Sequence, residues 1–390
     1  MKENWEYKAF GEIASFRRGL TYSKGDVADD SSKKVLRSNN ITLESNSLNL
    51  DDVACLRDDF SIPDEKMLHQ GDIFICMSNG STQHLGKVAY IDRDIDYAFG
   101  GFMGVIEPNR NNVCSKYVFY SCCSNSYRAF LNSIFNGANI NNLKWSDLSK
   151  FKIPVPSLDE QEQVVAELDL LSGEIDKQKA QLKELDNLAQ STFYDMFGDP
   201  IENPKGWETR PLNEVAPQRP YEGTVPDVNG KYWLLNLDKV VSQSGDVLEK
   251  EMVDLNEIGN SVVAFDSTNV LYSKLRPYLN KVVIPNDFGY ATSELVPLKP
   301  NRECLDRVFL TFLLRSKSFV NLISVRVAGA KMPRVSMDFL RNFEVILPPL
   351  DFQQTFADKI ASIEKQKAAL TQSIAETQKL LDYTMDKYFG

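Results

Sequence analysis

The chain has 390 residues, 43% hydrophobic and 25% charged, with a formal net charge of −10. That length exceeds what one hydrophobic core normally serves, so two or more domains are expected, and the composition is that of a globular protein, not a disordered or fibrous one. No run of about 18 apolar residues exists, which argues against a membrane span.

The start, Met1-Lys2-Glu3-Asn4-Trp5-Glu6, has no apolar core and does not read as a signal peptide. Two short runs then read as strands, Asp72–Cys76 and Lys87–Ile91. A helix-like stretch follows over Ser115–Phe135, then a Gly137-Ala138 loop. After Pro156 the pattern changes. Leu168, Leu171, Ile175, Gln178, Leu182, Leu185, Ala189, Thr192 and Met196 follow a 3–4 spacing, a heptad seam that wants a partner helix. Asp159 is expected to cap this helix. From Asp159 to Phe197 it would run roughly 58 Å at 1.5 Å per residue.

The same series then recurs. Trp5–Ala14 returns as Trp207–Ala216, and Pro156–Gln161 as Pro348–Gln353. Asp195-Met196-Phe197-Gly198 returns as Lys387-Tyr388-Phe389-Gly390. Strands are expected at Asn269–Ser273 and Lys281–Ile284, a helix over Asp306–Val325, and a loop at Gly329-Ala330. The second seam is Ile360, Ile363, Lys367, Leu370, Ile374, Thr377, Leu381, Thr384 and Tyr388, with Asp351 as the expected cap. Neither seam is strong alone, and the simplest solution pairs the two helices with each other.

The fold class is therefore α+β, with two globular domains separated by two long antiparallel helices forming a coiled coil, related by an internal pseudo-two-fold. The expected boundaries are 1–158 for the first domain and 159–199 for its helix. The second domain takes 200–350 and its helix 351–390. Two similar surfaces on one molecule suit a target with two separated halves, and a long duplex is the obvious candidate. The helical segments together carry 8 basic against 17 acidic residues, so nearly all the excess acid lies there. The globular parts are near neutral and could still present a basic face. Neutral readers attract phosphates weakly, so a partner should supply part of the grip.

Little else in the chain suggests chemistry. The cysteines Cys55, Cys76, Cys114, Cys122, Cys123 and Cys304 form no Cys-x-x-Cys pair and fit a reducing cytoplasm. Gly80–Val88 has five residues between its first glycine and Gly86, and Val88 stands where a nucleotide loop needs Ser or Thr. His69 and His84 are the only histidines and have no clustered partners, so neither a metal site nor a catalytic triad is expected.

The motifs Phe151–Gln161, Phe193–Pro200, Ser273–Val282 and Gly329–Ser336, in this order over the whole chain, closely resemble the specificity subunit of type I restriction–modification systems. That resemblance implies two target-recognition domains, each reading one half of a bipartite DNA site. It implies a coiled coil that sets the spacer and docks two modification (methyltransferase) subunits. Restriction (translocase/nuclease) subunits would complete the assembly. It also implies a cytoplasmic bacterial or archaeal protein that is itself non-catalytic. Adenine-N6 methylation and ATP-dependent cleavage would belong to the assembled complex. S-adenosylmethionine, ATP and Mg would sit in partner subunits, with no cofactor or metal in this chain. The two halves differ at Ser78-Asn79-Gly80-Ser81 and Asn136–Ile140, so an asymmetric target is expected.

Side chains that pair with base edges suggest the contacts. In the first domain these are Arg37, Asn39, Asn40, Ser78, Asn79, Ser81, His84 and Asn139. In the second they are Lys274, Arg276, Tyr278, Asn280, Lys331 and Arg334. Arg276 and Arg334 stand out because an adjacent proline stiffens each loop. Each residue also has a plain alternative as a surface group or a structural loop hydrogen bond. A subunit of a related phage-defence system or a protein-binding scaffold are the other readings. A freestanding enzyme would need one catalytic constellation in both halves, and none is evident.

Overall fold

The computed structural model describes residues 5–135, 142–224, 230–327 and 331–390. The chain divides into two compact units. One comprises Met1–Lys179 with Gln372–Gly390, and the other Ala180–Thr371. Each unit therefore takes half of each long helix. The helices run from Leu158 to Phe197 and from Leu350 to Phe389.

The first unit opens with Glu6–Ala9, paired antiparallel to Lys152–Val155 just before the long helix. Its centre is an antiparallel sheet ordered Ala14–Arg18, Met103–Pro108, Ile73–Cys76 and Val88–Tyr90. A second sheet holds the parallel pair Tyr97–Phe99 and Lys33–Leu36. The second unit repeats the plan. Glu208–Pro211 pairs with Glu344–Leu347, Val270–Ser273 lies between Val282–Val283 and Leu295–Leu298, and Lys231–Leu235 runs parallel to Gly289–Thr292. The four strands expected from sequence lie where they were placed, each trimmed by one or two residues.

Each stretch expected as one helix is two. Ser115–Ser121 and Asn125–Phe135 replace the first, and Arg307–Arg315 and Lys317–Arg326 the second. Ser124 and Ser316 cause the breaks. Their hydroxyls accept the Tyr127 amide (3.2 Å) and the Phe319 amide (3.3 Å), so each caps the following helix, and Ser316 also ends the preceding one. The long helices also start earlier than expected. Ser157, not Asp159, caps the first: its Oγ accepts the Glu160 amide, while Glu160 Oε2 accepts the Ser157 amide at 3.1 Å. The second begins at Leu350, so Asp351 lies in its first turn. Both aspartates still favour the positive end of the helix dipole.

Both cores are closed by the far end of the other repeat's helix. In the first unit, Met385, Tyr388 and Phe389 join the core around Leu168, and Phe389 packs on Tyr117 with ring centroids 5.0 Å apart. Trp5 stacks on Tyr388 at 6.2 Å, which brings the two ends of the chain together. In the second unit, Phe193 and Phe197 enter a core with Phe309 and Phe356. Within each unit the two long helices pack together in opposite directions. Of the ten apolar seam positions, Leu168, Ile175, Ile360 and Ile363 are buried. Leu171, Leu182, Leu185, Leu370, Ile374 and Leu381 are half-buried. The two polar seam residues are satisfied differently. Gln178 donates to Ser373 Oγ at 2.9 Å, and Lys367 pairs with Asp186 at 2.8 Å and Glu364 at 3.2 Å. Burial draws the Lys367 proton affinity down, but these two carboxylates raise it on balance, so the ammonium stays charged in the seam.

The motif glutamine has a role that the pattern alone did not reveal. Gln161 and Gln353 are fully buried at the junction of domain and helix. Gln161 accepts the Cys114 amide at 2.8 Å and donates to the Pro156 carbonyl at 2.9 Å. Gln353 accepts the Asp306 amide at 2.9 Å and donates to the Pro348 and Cys304 carbonyls at 2.7 and 3.0 Å. Only a primary amide offers both an acceptor and two donors in that space. Among the described residues, no single helix is long and apolar enough to cross a membrane.

Candidate nucleic-acid interface

In the second unit, the strand Val270–Ser273 runs on into a short ladder. The Val335 amide donates to the Lys274 carbonyl at 2.9 Å, Leu275 bridges Arg334, and the Arg276 amide donates to the Pro333 carbonyl at 2.8 Å. Two loops far apart in sequence are thus laced together, and they carry Lys274, Arg276, Lys331 and Arg334. Arg276 is exposed and adopts φ +48°. A left-handed non-glycine residue costs about 1–2 kcal/mol. Pro277 disfavours the ordinary helical alternative for the residue before it. Its amide bond to Pro333, and a bond from the Leu279 amide to its carbonyl at 2.9 Å, hold the strained conformation. Strain maintained in this way is typical of functional positions. Tyr278 is exposed on the 3-10 turn Pro277–Leu279. That turn is braced by Gln243, whose amide donates to the Leu279 carbonyl at 2.9 Å and whose side chain donates to the Tyr278 carbonyl at 3.1 Å.

Arg334 is not free. It forms a forked pair with Glu294, its Nε 3.2 and 3.3 Å from the two oxygens and one terminal nitrogen at 2.9 Å. The hydrogen bonds to Glu294 push the guanidinium pKa further up. Among the described residues, Lys274, Arg276 and Lys331 have no ion pair.

The first unit builds the same ladder from other side chains. The Met77 and Ser78 amides both donate to the Phe102 carbonyl, at 2.9 and 3.0 Å. The Leu143 amide donates to the Met77 carbonyl at 2.7 Å, and Ser78 bridges Asn142. In register, Met77 matches Lys274, Asn142 matches Arg334, and Phe102 matches Glu294. Asn79 donates to Ser38 Oγ at 2.9 Å and accepts the exposed Ser81 amide at 3.0 Å. Arg37 and Asn39 are exposed and share Asp52, at 3.6 and 3.0 Å. His84 is half-buried, and its Nδ1 is buried without a hydrogen-bond partner. Asn139 lies outside the described residues.

Two of the expected contacts, Asn40 and Asn280, lie inside the fold and not on its surface. Asn40 is buried; its amide donates to the Asn49 and Asp52 carbonyls at 2.8 and 2.9 Å and accepts the Arg37 amide at 2.8 Å. Asn280 is also buried, at φ +50°, and donates to the Arg315 carbonyl at 3.0 Å. Both spend side-chain amide bonds on holding their loops in shape. The positions missed from sequence are Phe102 and Glu294, 192 apart. Their role comes from a carbonyl that either residue supplies, so residue type gave no signal.

Each unit also turns a lysine inward behind its ladder, buried at Lys87 and half-buried at Lys281. Lys87 Nζ donates to the Ile41 carbonyl at 2.8 Å and Lys281 Nζ to the Leu237 carbonyl at 2.6 Å. Burial lowers the proton affinity of both.

The model of the type I restriction modification DNA specificity domain matches residues 2–187 and again 204–379. The type I restriction enzyme StySPI specificity subunit of Salmonella potsdam is 29% identical over 188 residues, 47% of this chain and 40% of that protein. The EcoKI specificity subunit of Escherichia coli K12 is 28% identical over the same shares. The match thus spans well under half the length of either relative. The MjaIX specificity subunit of Methanocaldococcus jannaschii is 22% identical over 74% of this chain and 70% of its own. Among solved structures, the type I restriction-modification S subunit from M. genitalium aligns with a TM-score of 0.58 at 11% identity, covering 99% of this chain and 96% of that one. A chain from work on complex assembly and conformational transition of the type I R-M system aligns at 0.55 and 18%, covering 99% and 98%. At such identities the likeness is one of fold. The double match over both repeats shows that this chain belongs to the type I restriction modification DNA specificity domain family and carries that domain twice.

Proposed function

We propose that the chain is the non-catalytic, sequence-specific DNA-binding subunit of a type I restriction–modification complex. Each domain reads one half of an asymmetric bipartite site. The observation that carries this reading is the repeated ladder with unlike side chains: one backbone scaffold presents Lys274, Arg276 and the Glu294–Arg334 pair in one unit, and Asn79, Phe102 and Asn142 in the other. A shared scaffold with different contacting groups is what two half-sites of different sequence require.

The coiled coil sets the spacer between half-sites and docks two modification subunits. Restriction subunits join that assembly. S-adenosylmethionine, ATP and Mg²⁺ are held by those partners, which carry out adenine-N6 methylation and ATP-dependent cleavage. The acidic helices and near-neutral domains support this division, because a neutral reader gains its phosphate grip from the partners. The working compartment is the cytoplasm, in keeping with six free cysteines.

The test is adenine-methylation mapping of DNA from cells that express the chain with its modification subunit, against cells lacking it. A new asymmetric bipartite motif is expected. A stable complex that methylates no new motif would favour a protein-binding scaffold or a non-methylating defence system. Inserting matched helical turns into both long helices should lengthen the spacer and leave both half-sites unchanged.

A further inference from the structure

We infer that Phe102 reads a thymine methyl group in the half-site of the first domain. This rests on the DNA-reading role proposed above and names a specificity residue within it. Phe102 is 72% exposed, a large apolar side chain left in water at the tip of a tight turn. Three backbone bonds fix the turn: the Met77 and Ser78 amides on the Phe102 carbonyl, and the Met103 amide on the Gly100 carbonyl at 2.8 Å. Behind it, Gly19 approaches Gly100 so closely that a Cβ on Gly19 would lie 2.0 Å from the Gly100 carbonyl oxygen. The ring is thus presented on a rigid base, and ordering its backbone on binding costs little.

Its surroundings suit DNA. Asn142 lies on the same ladder through its bridge to Ser78, and Lys144 follows two residues later, exposed. Arg18, also exposed, pairs across the sheet with Gly104, two residues beyond Phe102. Neither Arg18 nor Lys144 has an ion pair among the described residues, so both are available to phosphates. A single ring among Gly101, Ser78 and Asn142 is not the contiguous apolar patch of a protein interface. What a benzyl group can discriminate on a duplex is the thymine methyl in the major groove. The matching position of the second domain holds Glu294, a carboxylate engaged by Arg334, so the two domains apply opposite chemistry at one scaffold point.

The experiment uses the full chain in complex with its modification subunit and the duplex identified by methylation mapping. Each thymine of the first half-site is replaced in turn by deoxyuridine, which removes only the methyl. One replacement should weaken binding by the wild-type complex about fourfold, the worth of one buried methyl. The same replacement should have no effect on Phe102→Ala, while Phe102→Leu keeps part of the discrimination. Uridine scans of the second half-site should be unchanged by either variant. A first half-site without thymine, or no thymine coupled to Phe102, overturns the inference while leaving the DNA-reading role intact. Loss of complex assembly in Phe102→Ala would make it a protein contact and overturn it too. Failure of the wild-type complex to bind its duplex would instead sink the DNA-reading role and this inference with it.

Discussion

The two units share a backbone and differ where the backbone meets solvent. Both join the strand end at Cys76 or Ser273 to a second loop through the same ladder, and both fix the ladder by hydrogen bonds to a carbonyl 192 residues apart, Phe102 or Glu294. Behind the ladder, both bond a lysine to a backbone carbonyl and clamp the helix junction with a glutamine. On it, the matched side chains differ: Met77 against Lys274, Phe102 against Glu294 and Asn142 against Arg334. The difference separates what must be kept to hold the loops from what can vary to read a sequence. Backbone bonds carry the first, so the second is released from structural duty.

The largest test of this shared scaffold lies in the cores. Phe197 is fully buried against Phe193, Phe309, Phe352 and Phe356, whereas Phe389 has Tyr117 as its ring neighbour. Phe197→Ala should destabilise the second unit by about 4 kcal/mol and Phe389→Ala the first by about 3 kcal/mol. Hydrogen exchange followed separately for each unit would check both. Equal losses would show that the aromatic cage around Phe197 adds nothing.

The glutamine clamps should cost somewhat less. Gln161→Leu strips partners from the Cys114 amide and the Pro156 carbonyl, at about 2 kcal/mol. Gln353→Leu also frees the Cys304 carbonyl, so its loss should be larger, about 3 kcal/mol. Urea unfolding of each variant measures the pair; the reverse order would mean that the third bond is not stabilising.

At the proposed reading surface the signs part. Arg276→Gly relieves the left-handed strain and should raise stability by about 1 kcal/mol. It should also weaken binding to the cognate duplex by at least about tenfold, since one specific arginine contact is worth ~1–3 kcal/mol. Thermal unfolding and fluorescence anisotropy on one preparation decide it. A variant that gains stability and keeps affinity would remove Arg276 from the interface.

Much of the architecture was legible because it was written twice. The heptad spacing, the Pro-Ser-Leu-Asp-Glu-Gln motif and its second copy located both helices and both junctions, and the alternating apolar runs located the central strands. The helix breaks at Ser124 and Ser316 escaped because a serine inside an apolar helical run gives no sign whether it faces outward or caps. The interface was half legible for a related reason. Residue type marked Arg276 and Arg334 as able to read bases, and the structure brings them onto one ladder. Type could not reveal that Glu294 already holds Arg334, or that Asn40 and Asn280 spend their amides on backbone carbonyls. An asparagine in a loop looks alike as a reader and as a turn former.

The smallest expected effect settles that last ambiguity for Asn280. It occupies φ +50° just before Lys281, and in the first unit the residue before the buried Lys87 is Gly86, at φ +75°. Both turns need a left-handed residue at this point, which asparagine and glycine supply at little steric cost. Asn280→Gly loses one bond to the Arg315 carbonyl but relaxes the backbone, so stability should stay within about 0.5 kcal/mol. Affinity for the cognate duplex should not move at all, in contrast to Arg276→Gly four residues earlier. The reverse exchange is not neutral. A Cβ at Gly86 would lie 2.3 Å from Leu131 Cδ1, so Gly86→Asn should destabilise the first unit by about 1–3 kcal/mol through overpacking. If Asn280→Gly instead weakens DNA binding with stability intact, the side chain leaves its carbonyl to reach a base, and the turn in the second unit is a reading element that its counterpart in the first is not.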